Sequence, residues 1–325
     1  MEKKRPRGIR ALANICGNAG MLVVFIALFI GVSVFVPEFF SPFNMKALAV
    51  SVATVGMVAC TMLFCLASGH FDLSVETILS MSGVLAAVVV AATGNPLLGI
   101  LAGIAAGGVV GAVNGIVIAQ FRINALITTL ATMQIVKGLG YLICKGQAVS
   151  VGNESFFLLG TSAIFGIPTP VWITAICFLV FGILLNKTTF GRHTLAIGGN
   201  REAVRLAGID VFKTQFGIFL IQGLVAGFAG VIVASKMTSG QPKPPEGFAL
   251  DVISACVLGG VSLSGGVGTM VGTIVGVLIM GTVANAMNLL NIDTFYQYVV
   301  RGLILLAAVL FDRYGQSRKR RKYAG

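Results

Sequence analysis

The sequence predicts an all-α, polytopic membrane protein of about ten transmembrane helices, for three reasons: its composition, its long apolar segments and the placement of its basic residues. Apolar residues make up 56% of the 325 residues and charged residues only 10%, and the mean hydropathy is +0.95. A soluble domain carries about 25% charged residues, so this chain could not cover a water-facing surface. The polar stretches between the apolar segments are too short to bury a core. A single transmembrane domain over residues 1–325 is therefore expected.

Nine apolar segments are long enough to cross a bilayer, since a spanning helix needs about 20 mostly apolar residues. Basic residues cluster in the tails 1–19 and 312–325 and in the loop 187–213. Such clusters are typical of segments retained in the cytoplasm, so the net charge of +12 indicates topology and not a nucleic-acid surface. Two cytoplasmic termini require an even number of crossings, and the short segment 249–263 is taken as the tenth. The nine longer segments are 20–36, 45–67, 73–93, 96–119, 124–144, 168–186, 215–237, 267–290 and 295–311.

Glycine recurs at every fourth position in two of these segments, which gives each helix one face without side chains. Such a face favours close helix packing, and a conduit lining is the less favoured alternative. The two halves of the chain also share an order of features: an Asp, a glycine ladder, and a cation that lies thirteen residues after an Asn. Because the topology orients the halves oppositely, an inverted repeat is predicted, either of five-span halves or of four-span halves with linkers. The matching single residues are Asp72 with Asp251, Asn124 with Asn288, and Lys137 with Arg301. The first glycine ladder is Gly103, Gly107, Gly111 and Gly115, and the second is Gly268, Gly272 and Gly276.

The sequence carries no recognisable enzyme site. No Gly-Lys pair occurs, so a Walker phosphate loop is absent, and the two histidines, His70 and His193, have no acid partner at catalytic spacing. The six cysteines form no C-x-x-C pair, which disfavours a metal site or a disulfide framework. We therefore expect no catalytic residue, no metal and no cofactor in this chain.

The polar residues inside the segments are mostly uncharged. An ion-coupled carrier needs acids near the membrane midplane, and none is clearly placed there, while Lys137 and Arg301 are interpreted as structural. The segment 124–144 carries amide and hydroxyl groups that suit a neutral, polyhydroxylated solute, although hydrogen bonding between helices explains them equally well. The candidate pathway residues are Asp72, Ser74, Asn124, Thr128, Thr129, Thr132, Met133 and Gln134.

A short capped helix is predicted within the loop 187–213. Asn200 is a good N-cap, Glu202 lies in the first turn, and Gly208 supplies a left-handed stop. Such a helix could dock a soluble partner, or it could serve only to order the loop. The candidate docking residues are Gly199, Asn200, Arg201, Glu202, Ala203, Arg205 and Gly208.

Longer motifs are spread over the chain and carry a resemblance to a known family. The chain resembles, from about residue 20 to 313, the membrane permease subunits of bacterial ATP-binding-cassette importers for ribose, arabinose, xylose and galactose. The stretches 123–136, 187–199, 253–263 and 285–314 are most similar to the L-arabinose permeases. The motifs are Ser68-Gly69-His70-Phe71-Asp72-Leu73-Ser74-Val75, Asn114-Gly115, the run 123–133, Gly191-Arg192, Ile197-Gly198-Gly199-Asn200, Ser239-Gly240-Gln241-Pro242 and the run 257–266.

The resemblance implies the fold of the cobalamin-type (type II) importers and a role as a transport subunit, not an enzyme. Two copies would form the path across the lipid of the bacterial inner membrane, and a periplasmic sugar-binding protein would dock outside. Cytoplasmic ATPase subunits would carry ATP and Mg²⁺, and they would bind the loop 187–213 through the candidate docking residues. The expected sugar is L-arabinose; the alternatives are ribose, xylose or galactose, and an ion-coupled secondary transporter.

Overall fold

The computed structural model describes the backbone of residues 7–324 and the side chains of residues 20–310. The side chains of the predicted basic tails, 1–19 and 312–325, lie outside the described part. The described backbone forms thirteen helices and four two-residue strands. The helices are α1 Arg7–Phe35, α2 Pro42–Ala67, α3 Val75–Thr93, α4 Pro96–Ala119, α5 Ala125–Cys144, α6 Glu154–Thr161, α7 Thr169–Lys187, α8 Thr189–Gly199, α9 Arg201–Leu206, α10 Val211–Lys236, α11 Phe248–Leu258, α12 Met270–Leu289 and α13 Thr294–Ala324.

Seven of these helices are long and apolar enough to cross a membrane: α2, α3, α4, α5, α7, α10 and α12. Three shorter apolar stretches accompany them, Gly20–Phe35, Phe248–Leu258 and Thr294–Leu310. The strands form two small antiparallel pairs: β1 (Val149–Ser150) with β4 (Ser239–Gly240), and β2 (Ala163–Ile164) with β3 (Ile167–Pro168). The prediction of a mostly helical, polytopic membrane protein is thus confirmed.

The predicted tenth segment, 249–263, is helical over only part of its length. Helix α11 ends at Leu258, and residues 259–269 continue without regular structure until α12 begins. This irregular segment reaches the end of α2, where the Gly266 N–H donates a hydrogen bond of 2.8 Å to the Ala67 carbonyl. The segment therefore combines a short helix with an irregular half.

The glycine ladder of α4 packs directly on the backbone of α10. A Cβ atom added at Gly107 would overlap the carbonyl oxygen of Gly223, and one at Gly111 would overlap that of Phe219. The approach is mutual, because a Cβ at Gly223 would overlap the Gly107 carbonyl. Close packing, and not a conduit lining, is therefore the role of this ladder.

The second ladder behaves in the same way over two of its three glycines. A Cβ at Gly272 would overlap the carbonyl of Gly259, and one at Gly276 would overlap that of Ala255. At Gly268 the nearest atom would be 3.4 Å away, which is ordinary contact. The close approach thus joins α12 to α11 and to Gly259, the first residue after α11. Gly268 takes no part in it.

The helix packing of the two halves is reciprocal. Helix α4 packs on α10 and on α3, while α12 packs on α2 and on α11. Helix α5 packs on α3, as α13 packs on α11. The largest buried apolar cluster draws most of its side chains from α2, α3, α10 and α11, which lie at the centre of the domain.

Candidate functional site

Three buried side chains and one half-buried side chain form a polar network where α3, α4 and α5 meet. Asp72 precedes α3, and its Oδ1 accepts hydrogen bonds from the Ser74 N–H (2.9 Å) and the Ser74 hydroxyl (2.6 Å). The Asn114 amide of α4 donates to Ser74 Oγ (2.9 Å), and the Thr132 hydroxyl of α5 lies 2.7 Å from Asn114 Oδ1. Because buried polar groups are costly unless they are paired, this network fixes the position of α5 against α3 and α4.

Asn114 is the member of this network that we did not predict as a site residue. It lies in the last two turns of the apolar helix α4, and its side chain is inaccessible to solvent. A single amide within an apolar span is a usable signal, since hydrogen bonds between helices are the usual reason for such a residue. The Asn114-Gly115 motif contained this signal, but it did not show which partners the amide meets.

The remaining candidate pathway residues divide into two groups. Asn124, Thr128 and Thr129 bond within their own helix: Asn124 Oδ1 caps the N–H groups that begin α5, and the two hydroxyls lie near carbonyls one turn earlier. Met133 is half-buried and Gln134 is exposed, so these two are open to a solute or to another chain. The structure therefore does not bring all eight predicted residues into one site.

The two cations predicted to be structural have different surroundings. Arg301 donates a hydrogen bond of 3.0 Å to Asp251 Oδ2, which links α13 to α11. Together with Ser51 and Asn288, this pair lines a cavity of about 170 Å³ between α2, α11, α12 and α13. Lys137 is exposed and belongs to no salt bridge among the described side chains. The structural interpretation is thus supported for Arg301, while Lys137 remains free for another role.

The predicted helix in the loop 187–213 is present as α9, and a second helix, α8, comes directly before it. Asn200 Oδ1 accepts a hydrogen bond of 3.0 Å from the Ala203 N–H, and Gly208 has φ +78°, as the predicted cap and stop require. Val204 is buried against Ile197 of α8 and Val211 of α10. The loop therefore supplies apolar support for α9 that its own sequence did not indicate.

The charged candidates of α9 do not all point in the same direction. Glu202 and Arg205 form an exposed salt bridge of 2.7 Å, and Ala203 is exposed beside them. Arg201 is half-buried and turns towards a pocket lined by His70 and Arg122. Glu202, Ala203 and Arg205 thus form an outer surface, whereas Arg201 belongs to the junction with the membrane helices.

Besides the ring contact of Phe190 with Phe64 of α2, helix α8 meets the ends of two membrane segments backbone to backbone at Gly198. A Cβ atom at Gly198 would overlap the Ala67 carbonyl at the end of α2 and the backbone nitrogen of Gly266 in the segment 259–269. One at Gly265 would lie 2.8 Å from Gly198 Cα and 2.9 Å from the Gly69 nitrogen. A displacement of α8 must therefore displace the end of α2, the segment 259–269, or both.

The network predicts a difference between two neighbouring threonines of α5. Thr132→Val leaves Asn114 Oδ1 without its donor, which should lower the free energy of unfolding by about 1–3 kcal/mol. Thr129→Val removes only a hydroxyl that lies 3.4 Å from a carbonyl of its own helix, and it should cost less than about 0.5 kcal/mol. Thermal unfolding of the purified variants in one detergent measures both. Equal losses for the two variants would contradict the network.

Comparisons with known proteins agree with the fold and the motifs. A family model described as "Branched-chain amino acid transport system / permease component" matches residues 44–309. The chain is 58% identical to the L-arabinose transport system permease protein AraH of Escherichia coli strain K12, covering 97% of this chain and 96% of that protein. It is 51% identical to the L-arabinose ABC transporter permease protein AraH of Azospirillum brasilense, covering 94% and 91%.

A more distant relative is named for another sugar, ribose. The ribose import permease protein RbsC of Bacillus subtilis strain 168 is 42% identical, covering 88% of this chain and 89% of that protein. No solved structure matches the chain significantly. The long family match and the nearly full-length relatives show that this chain is a membrane permease subunit of the ATP-binding-cassette transporter family.

Proposed function

We propose that this chain is the transmembrane subunit of an ATP-driven importer that moves L-arabinose across the bacterial inner membrane. The observation that carries this proposal is the order of the identities: 58% and 51% to permeases named for L-arabinose, against 42% to one named for ribose. The family model is described by branched-chain amino acids and matches residues 44–309, whereas the relatives match nearly the full chain at high identity and are the better guide to the substrate. The chain is a transport component, and ATP and Mg²⁺ belong to a separate ATPase.

We infer ten crossings with both termini in the cytoplasm, in the manner of the type II importers. The seven long apolar helices and the three shorter apolar stretches together supply ten segments. An even number keeps the loop 187–213, with its five cations, on the same side as both basic tails. In this arrangement α11 and the segment 259–269 form one crossing, because the irregular half reaches the cytoplasmic ends of α2 and α8.

The reciprocal packing supports an inverted repeat that relates α2–α5 to α10–α13. In this repeat α4 corresponds to α12 and α10 corresponds to α2. The contact between α4 and α10 therefore has its counterpart in the contact between α12 and α2. The polar pairs do not follow the repeat, since Asp251 binds Arg301 whereas Asp72 binds Ser74 and not Lys137. The repeat therefore describes the backbone, and the two halves use their polar residues differently.

For the sugar path we propose the exposed face of α5. Met133 and Gln134 would face the solute, with Lys137 one turn further along. Asp72, Ser74 and Thr132, which bond to one another through Asn114, would hold this helix in position without touching the sugar. Asn124, Thr128 and Thr129 would shape its first turns. A second copy of the chain would complete the path.

The outer surface of α9 is the proposed contact with the ATPase. Glu202, Ala203 and Arg205 are exposed there, and Asn200, with the left-handed Gly208, fixes the geometry of the helix. Gly199 joins α8 to α9, and a Cβ atom added there would meet no atom within 4 Å. A periplasmic sugar-binding protein would dock on the opposite side, where α6 and the segment 237–247 lie.

Reconstitution tests the proposed function directly. Proteoliposomes that hold this chain with its ATPase and its binding protein should take up labelled L-arabinose faster than ribose or galactose, and only with ATP. Much faster uptake of another sugar would contradict the substrate. Uptake by this chain alone, driven by an ion gradient, would contradict the importer itself and favour a secondary transporter.

Substitutions in and after α9 should abolish the stimulation of ATP hydrolysis by sugar without preventing assembly of the importer. Glu202→Lys reverses a charge on the outer surface of α9, where losing one member of a desolvated pair costs about 2–5 kcal/mol. Gly208→Val strains a left-handed residue at φ +78°. Both variants should insert and dimerise normally but lose sugar-stimulated ATP hydrolysis.

A matched control is Lys213→Glu, which also reverses an exposed charge of the loop but lies beyond α9. It should retain most of the stimulation. Full stimulation in both the Glu202 and the Gly208 variants would show that α9 does not transmit the signal.

A further inference from the structure

A pocket at the cytoplasmic end of α4 and α5 is not used by the proposed transport function. It is lined by the loop between these helices, by the residues that follow α2, and by Arg201 at the start of α9, and it encloses about 310 Å³. Two of its lining residues are arginines, Arg122 and Arg201. Arg122 has φ +56°, a left-handed conformation that is uncommon for residues other than glycine and that often marks a functional position.

The two arginines have no carboxylate partner among the described side chains. The acids of the loop 187–213 are already engaged, Glu202 with Arg205 and Asp210 with Lys213. Asp72, which lies close by in the sequence, directs Oδ1 to Ser74. Two guanidinium groups that share one pocket without a counter-ion repel each other. The charge of Glu202 raises the pKa of Arg201 by less than that of Arg122 lowers it, so the pocket holds an excess of positive charge.

The protonation of the neighbouring groups shows this positive field. The pKa of Arg201 is lowered, first by burial and then by the charge of Arg122. Burial, followed by the charge of Arg201, lowers the pKa of His70 to about 4, so this imidazole is neutral and adds no charge of its own. Helix α5, twenty residues long, also begins at the pocket with Ala125 and Leu126, where its dipole is positive. An anion in the pocket would offset the repulsion between the two arginines and would be stabilised by the helix dipole.

The rim of the pocket indicates where the anion comes from. Ile123 and Leu126 line it with exposed apolar side chains, and their sequence neighbours Phe121 and Ile127 are 66% and 64% exposed. Apolar groups on one side of a cationic pocket match a lipid, whose headgroup and acyl chains lie in that order at the membrane surface. Basic pockets between helices on the cytoplasmic side are known to bind anionic headgroups.

We propose that Arg122 and Arg201 bind the phosphate of an anionic phospholipid from the cytoplasmic leaflet. Each guanidinium presents a planar fork that fits phosphate oxygens, and two forks can hold one phosphodiester. The acyl chains would lie along Phe121 and Ile127. Because Arg201 begins α9, the lipid would tie the proposed coupling helix to the membrane ends of α4 and α5. This step rests on the proposed cytoplasmic location of the loop 187–213.

Lipid binding to the purified chain tests this proposal independently of transport. Native mass spectrometry in a neutral detergent gives the affinities for phosphatidylglycerol and for phosphatidylcholine, which differ in net charge. The wild-type chain should prefer phosphatidylglycerol by about tenfold or more. Arg122→Gln/Arg201→Gln should lose most of this preference. Lys187→Gln/Lys213→Gln removes two other exposed cations of the same side and should keep it.

Two further arms separate the alternatives. If the double arginine variant does not fold, the single variant Arg122→Gln replaces it, because Arg122 is exposed in a loop. This variant should still weaken the preference for phosphatidylglycerol about threefold. Inorganic phosphate should compete only weakly for the wild-type site, since it lacks acyl chains.

Three results would overturn the proposal. One is an equal loss of preference in the arginine and lysine double variants, which would show only general surface charge. Another is binding of inorganic phosphate as tight as that of the lipid. The third is unchanged lipid binding combined with lost ATPase assembly in the arginine variant, which would make the pocket a protein-docking surface.

Discussion

Backbone contact at glycine is the constraint on which this structure depends. Association between membrane helices gains little from the hydrophobic effect, because lipid is as apolar as a side chain, so close packing must supply the attraction. Gly107 and Gly223 let α4 and α10 touch through their main chains, and Gly276 does the same for α12 on α11. The contact of α4 with α10 joins the two halves, that of α12 with α11 lies within the second half, and no side chain can replace either without separating the helices.

The same kind of contact reaches the proposed coupling loop. Gly198 of α8 meets the end of α2 and the segment 259–269 without an intervening side chain. Side chains can change rotamer and absorb a small movement, whereas two backbones in contact cannot. In the proposed arrangement, a force that an ATPase applies to α8 and α9 would act on two membrane segments at once. One of these, α2, ends at Ala67, five residues before Asp72, whose network positions α5 beside the proposed sugar path.

The features that could be predicted from the sequence are those set by local chemistry. Composition determines the class, the glycine spacing indicates a packing face, and Asn200 with Gly208 marks a capped helix, because each depends on neighbouring residues only. The features that could not be predicted depend on partners that are distant in the chain. Asp251 and Arg301 are fifty residues apart, Asn114 connects Ser74 to Thr132 across three helices, and Val204 finds its support on α8 and α10.

The central claim is that α8 transmits its motion through the backbone contact at Gly198, and two adjacent glycines allow a direct test. A Cβ at Gly198 would overlap Ala67 and Gly266, whereas one at Gly199 would meet no atom within 4 Å. The decisive measurement is the number of sugar molecules moved per ATP hydrolysed by the reconstituted importer carrying Gly198→Ala or Gly199→Ala. The account predicts that the Gly198 variant assembles and hydrolyses ATP but moves little sugar, and that the Gly199 variant behaves like the wild type. A Gly198 variant with an unchanged ratio would contradict it.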